Sequence, residues 1–280
     1  MQDNVRAQAP WALRTVAPFP TIAQRVLSLV SQNEASIRDV YDIVKMDPSF
    51  SAGLLRLANS ALFGVRREIK SVQHAIGLVG LDRVKTMATI VAMDRMVGSA
   101  VHVEALRKIW LHSLATAVIA EEAAHLNHMA RDAGYTAGLL HNLGALGLMS
   151  AYPKEYARML EVSNEFGFDL LATERDLFEI DHCLAGCYLA QDWDFPDELA
   201  AAIAGHHDDP VPGGATLDLD NLLRVSWRLA DTIGFAAFTP AKEWPYEELI
   251  AFLPKTGSWL SESAESARRE LDARLSSVLV

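Results

Sequence analysis

Five histidines and one aspartate punctuate the second half of the chain: His112, His141, His182, His206, His207 and Asp231. Each lies inside or beside an apolar segment with the period of a helix. Imidazole and carboxylate are good ligands for Fe, Mn, Ni and Zn, so this set, delivered by successive helices, has the chemistry of a buried metal centre. The residue after His141 is Asn142, an amide that brings no charge. On the residues alone, each site position also has a plainer account. A lone buried histidine is usually a hydrogen-bonded core residue, and Asp231 could cap or pair inside a bundle. His206 and His207 open a polar loop, and a wet helix end is the favoured account of them; core packing is favoured for His182. His74, His102, His125 and His128 lack the pattern and read as surface residues or as neighbours of the ligands, with no metal role.

The elements that must carry these residues read as helices throughout. A loose arm with breakers at Pro10 and Pro18-Phe19-Pro20 leads to a helix from Thr21. Ser36 is placed to cap a helix through Val40 and Val44, Asp47-Pro48 starts another, and Ser71 starts a short one through Ala75, Ile76 and Val79. Gly98-Ser99 is the predicted boundary between two lobes. The next helix, near residues 104 to 124, carries His112, and a glycine-dotted apolar helix over residues 134 to 150 carries His141. Glycine costs about 1 kcal/mol in a helix interior, so its repetition there predicts close helix approach or a break. Asn59-Ser60 reads as a helix terminus, Arg66-Arg67 with Lys70 as a solvated loop, and Asp208-Asp209 as a solvated turn. No segment alternates with period two, so the fold class is all-α.

A net charge of −11 over 280 residues argues against nucleic acid or an anionic membrane as partner. No run of about 18 apolar residues could span a bilayer, and the N-terminus has no basic-then-apolar leader, so the expected compartment is the cytoplasm. Cys183 and Cys187, four apart on one helical face, are poorly placed for a disulfide and read as small core residues, with a redox or metal role as the alternative.

PFPTIAQRVLSLV, IVKMDPSFSAGLLRLANSALFG and SVQHAIGLVGLDRVKTMA closely resemble the N-terminal half of HDOD proteins. These are bacterial signalling modules related to the HD metal-dependent phosphohydrolases. The likeness continues through IWLHSLATAVIAE, AGLLHNLGALGLM, DHCLAGCYLAQDWDFPDELAAAIAGHH and RVSWRLADTIGF, covering roughly residues 17 to 238. It implies a two-lobed helical HDOD fold with an N-terminal lobe packed on an HD-like lobe. The expected divisions are an arm at 1–18, the N-terminal lobe at 19–100, the HD-like lobe at 101–240 and a C-terminal helical extension at 241–280.

The HD superfamily uses His, then His-Asp, then a distant Asp, and its cyclic-di-GMP phosphodiesterase branch adds further histidines, including a His-His pair. The resemblance assigns His112, His141, His182, His206, His207 and Asp231 to that pattern as metal ligands. It puts Asn142 where the bridging aspartate belongs. The Gly-Tyr-Pro signature that follows the phosphodiesterases' His-His pair is absent, because Asp208-Asp209-Pro210 stands there. In a two-metal site a bridging carboxylate holds the ions about 3.5–4 Å apart. A neutral amide cannot bridge in that way, and two dications brought together without the charge repel. The expected function is therefore a non-catalytic signalling module that binds a protein partner or a nucleotide-like ligand in an apolar inter-lobe cleft. The alternative is a metal-dependent phosphohydrolase acting on a nucleotide or cyclic dinucleotide.

Overall fold

The computed structural model describes residues 10–16, 23, 25–26, 29, 36–46, 48–58, 69–81, 84, 88, 104–193, 195–212, 217–239, 242–253, 258–261 and 263–278. All regular structure among them is helical, with no strand. The readings of Pro18-Phe19-Pro20, Asn59-Ser60, Arg66-Arg67, Gly98-Ser99 and His102 fall outside the described residues. No described helix is long and apolar enough to cross a membrane.

The chain divides into two compact units. One comprises Pro18–Met96 with Asp272–Val280. It holds α1 (Ile37–Val44), α2 (Pro48–Ala58) and α3 (Val72–Val79), which pack on one another. Ser36 begins α1 with a capping box: its hydroxyl accepts from Asp39 N at 3.2 Å, and the Asp39 carboxylate accepts from Ser36 N at 3.1 Å. Such caps satisfy backbone N–H groups that have no partner inside the helix, for about 1 kcal/mol. Val40, Val44, Phe50, Leu54, Ala58, Ala75, Ile76 and Val79 are its buried apolar side chains along these helices.

The other unit, Met1–Ala17 with Val97–Leu271, contains every candidate site residue. Its elements are α4 (Glu104–Leu126), α5 (Arg131–Leu140), α6 (Leu143–Ala151), α7 (Pro153–Phe166), α8 (Leu170–Phe178), α9 (His182–Asp192), α10 (Asp197–Ala204) and α11 (Leu219–Ala230). A π turn over Asp231–Phe235 follows α11, then α12 (Tyr246–Ala251) and the first part of α13 (Ala264–Val278), whose residues from Asp272 on belong to the other unit. α4 packs on α5 and α11, while α9 packs on α6 and α10. The arm expected to be loose is packed where it is described. Trp11–Leu13 form a 3-10 turn with Ala12 and Leu13 buried, and the Trp11 ring lies edge-on to Tyr152 at 5.7 Å.

The single helix expected over 134 to 150 is two helices, broken at His141-Asn142. The break has a local cause: His141 Nδ1 lies 2.7 Å from Gly138 O, the carbonyl that a continuing helix would have offered to the Asn142 N–H. The glycines explain the close packing on either side. A Cβ on Gly138 would stand 2.6 Å from Ala117 Cα of α4, and one on Gly144 would stand 2.0 Å from His182 O of α9. The first contact brings His141 close to His112, and the second sets the start of α9 directly against α6.

Candidate metal centre

Six side chains from five places in the unit converge. His112 comes from the middle of α4, His141 from the end of α5, His182 from the first turn of α9, His206 and His207 from the end of α10, and Asp231 from the end of α11. The rings make a continuous chain: His112 to His141 at 5.0 Å, His141 to His206 at 5.1 Å, His206 to His207 at 4.5 Å and His182 to His207 at 4.9 Å between centroids. His112, His141, His182 and His206 are buried and His207 is half-buried, so the wet helix end expected at 206–207 does not occur. The reason lies in α11. The carbonyls left free at the end of α10 are taken by its side chains: Trp227 Nε1 donates to His206 O, and Arg228 Nη2 donates to His207 O at 2.8 Å. Burial pushes the Arg228 guanidinium down to about 10 while Asp209 and Asp231 counter it. His74, His125 and His128 are exposed, as expected.

The centre has two ends joined by His141. At one end His112 Nε2 lies 2.9 Å from Asp231 Oδ1, a short electrostatic contact that is not an aligned hydrogen bond. Asn142 does not reach this side of the ring. Its Nδ2 lies 3.1 Å from His112 Nδ1 and donates to Ser113 Oγ at 3.3 Å. An amide N–H facing Nδ1 requires Nδ1 to accept, which leaves the ring proton on Nε2, toward Asp231. A carboxylate at 142 would do the reverse: it would accept Nδ1–H and leave Nε2 free to bind a metal. The amide thus lacks the charge of a carboxylate and gives its neighbour the wrong tautomer for coordination.

At the other end the tautomers suit a metal. His141 Nδ1 and His206 Nδ1 each lie 2.7 Å from a backbone carbonyl three residues earlier, Gly138 O and Ile203 O. A carbonyl only accepts, so both rings carry their proton on Nδ1 and present a bare Nε2. Those two Nε2 atoms are buried and have no hydrogen-bond partner. Burial holds both rings well below the usual histidine range, and neighbouring histidines push them further, so both are neutral. His207 is lowered in the same way, by burial and then by His182. His182 goes the other way. Burial alone would lower it, but the Glu174 carboxylate and the Cys183 sulfur outweigh that and hold the ring well above the usual range. His182 Nε2 and His207 Nε2 face each other across 3.2 Å. His182, Cys183, His206 and His207 bring one ligand atom each within 4.8 Å of one another and could hold a metal ion. For Cys183 the sequence favours core packing, with a redox or metal role as the alternative; its burial agrees with the first, and its place in this group adds a soft ligand.

A buried ring nitrogen without a partner costs about 1–3 kcal/mol, and two such atoms with matching tautomers are the donors that a divalent transition metal requires. The residues present fit such an ion. Glu174, absent from the sequence reading, is the further buried group at the centre: Oε2 accepts from both the N–H and the Nδ1–H of His182.

A family model described as the HDOD domain matches residues 16–209. A protein of Treponema pallidum (strain Nichols) is 25% identical over 198 residues, and this chain spans 38% of that protein's length. An HDOD domain protein with unknown function from Geobacter sulfurreducens superposes with a TM-score of 0.70 at 21% identity, covering 98% of this chain and 95% of that one. A candidate signal transduction protein from Marinobacter aquaeolei VT8 gives a TM-score of 0.76 at 24% identity, with 99% of this chain and 65% of that chain covered. A candidate phosphohydrolase from Shewanella amazonensis SB2B gives 0.69 at 20% identity, with 99% and 94% covered. At these identities the structural likeness is one of fold. The family match spans well over half of the chain, carries both the DPSF…LLRLANSA stretch and the histidine-bearing helices, and places this protein in the HDOD family.

Proposed function

We propose that this protein is a bacterial HDOD signalling module whose HD-like unit binds one transition-metal ion, through His141, His182, His206 and His207, and does not hydrolyse phosphodiesters. In this reading the metal is a structural and ligand-recognising centre, and signalling passes to a protein partner or a nucleotide-like ligand. The observation that carries it is the opposition of tautomers. All three Nε2 atoms lack an aligned hydrogen bond, but those of His141 and His206 are unprotonated, whereas His112, with Asn142 Nδ2 at its Nδ1, carries its proton on Nε2, 2.9 Å from Asp231. Three neutral rings, His141, His206 and His207, and His182 once it gives up its second proton, offer nitrogen donors that suit Zn, Fe, Ni or Mn. Cys183, grouped with His182, His206 and His207, favours the softer of these. A second ion at the His112–Asp231 end would lack the bridging charge that a two-metal displacement needs.

The other reading, a phosphohydrolase acting on a nucleotide or cyclic dinucleotide, has one observation in its favour: a nearly complete ligand set survives, with Asp231 beside His112. The two separate in an assay of the metal-reconstituted full chain on bis(p-nitrophenyl) phosphate and cyclic di-GMP. The proposal predicts no turnover above free metal. Turnover that disappears in His206→Ala would establish the hydrolase instead.

A further inference from the structure

Glu174 belongs to none of the elements that carry the histidines, yet it is fully buried among them. It stands on α8, eight residues before His182, and makes three contacts with three donors. Oε2 takes the His182 backbone N–H at 2.7 Å and the His182 Nδ1–H at 2.8 Å, while Oε1 takes the Tyr156 hydroxyl from α7. Tyr156 is itself completely buried, with its ring 5.8 Å from that of Phe178. The start of α9 favours a carboxylate here, because the free N–H groups and dipole of a helix N-terminus attract negative charge. Asp181 holds the same turn from outside. It caps Leu184 N at 2.9 Å and is bridged by Arg175 Nη1 at 2.7 Å. With Asp181 in the cap position, Glu174 is free to act on the His182 side chain.

We infer that Glu174 is the positioning residue of the metal centre: it fixes the His182 ring with Nδ1–H turned to the carboxylate and Nε2 turned to His206 and His207, and Tyr156 fixes Glu174. This rests on the single-metal reading above. A ligating histidine whose second ring nitrogen is held by a carboxylate is oriented, restricted to one tautomer and made a better donor. The carboxylate charge is what the arrangement uses. A glutamine could still accept both His182 N–H groups on its oxygen and donate to the Tyr156 hydroxyl, but it would lack the negative charge that makes the ring a better donor. The α7–α8 pair, which carries no candidate ligand, thereby acquires a role in the centre.

The test is a Co2+ titration of the full chain, followed by its visible spectrum, in wild type, Glu174→Gln and Tyr156→Phe. Circular dichroism of the metal-free proteins checks that each is folded. Glu174→Gln is expected to weaken Co2+ binding roughly 10- to 100-fold and to alter the d–d bands, and Tyr156→Phe to weaken it less, in the same direction. A purely structural Glu174 would lower the melting temperature but leave the affinity and spectrum of the folded protein unchanged, which would overturn the inference and spare the metal reading. If Glu174→Gln does not fold, Tyr156→Phe decides by the same criterion. Wild-type protein that binds no Co2+ would overturn both.

Discussion

Asn142 meets His112 at Nδ1, the ring nitrogen opposite the one that faces Asp231, with Nδ2 at 3.1 Å and the Asp231 carboxylate 2.9 Å from Nε2 on the far side. The amide is therefore not a weak ligand left in a metal site. It sits behind the ring, and its N–H dictates where the ring proton goes.

Asn142→Asp reverses that arrangement in one step. The new carboxylate accepts Nδ1–H, frees Nε2 and adds negative charge at a position only 1% exposed. In chelator the variant should be less stable than wild type by roughly 3 kcal/mol, because a buried charge is left without a cation. Added Mn2+ or Zn2+ should restore the melting temperature and raise the metal content from one ion per chain toward two. A variant as stable as wild type in chelator, and still binding one ion, would contradict the role given to Asn142.

Helix approach at Gly144 should be unforgiving. Gly144→Ala puts a methyl group 2.0 Å from His182 O and 2.5 Å from Gly186 N, both backbone atoms that can yield only if α6 and α9 separate. A loss of about 3 kcal/mol or more in urea unfolding is expected. Gly167→Ala, with φ +67° and open space around it, should cost only about 1–2 kcal/mol for the left-handed backbone. Equal losses would refute the close-packing account.

The histidines set the acid limit of the metal-free fold. Three of them, His141, His206 and His207, have pKa values lowered by burial, so the unfolded chain binds protons that the folded one refuses. Their contribution falls as pH drops below the unfolded value of about 6.5. His182, raised by Glu174 against the effect of burial, has the opposite sign: its stabilisation is fully present below about 6.5 and is lost as pH rises through its folded value. Three against one leaves a net loss on acidification. The urea midpoint in chelator should be lower at pH 5.5 than at pH 7.5, and a midpoint that rises would contradict the neutral, buried state of the three.

Much of this was legible in the sequence, for identifiable reasons. Helical period marks α4 and α11, the caps at Ser36 and Ser71 stand where the residues place them, and the histidines on apolar segments do converge. What was not legible depends on contacts distant in sequence. Glu174 lies in TERDLF, a stretch indistinguishable from any exposed helix face until Tyr156 and His182 close over it. His206 and His207 border a polar loop, and only Trp227 and Arg228, about twenty residues later, make that end dry. The break at His141-Asn142 was within reach, since the repeated glycines pointed to close approach or a break, but its position is set by a side-chain bond to Gly138 O.

The most direct test is the metal content of the full chain, purified without affinity tag or chelator and compared with His141→Ala and His112→Gln. The account predicts one Fe, Mn, Ni or Zn per chain, lost in His141→Ala and retained in His112→Gln, because only the first supplies an unprotonated Nε2 to the ion. A folded protein with no metal, or one with two ions per chain that loses one with His112→Gln, would contradict it.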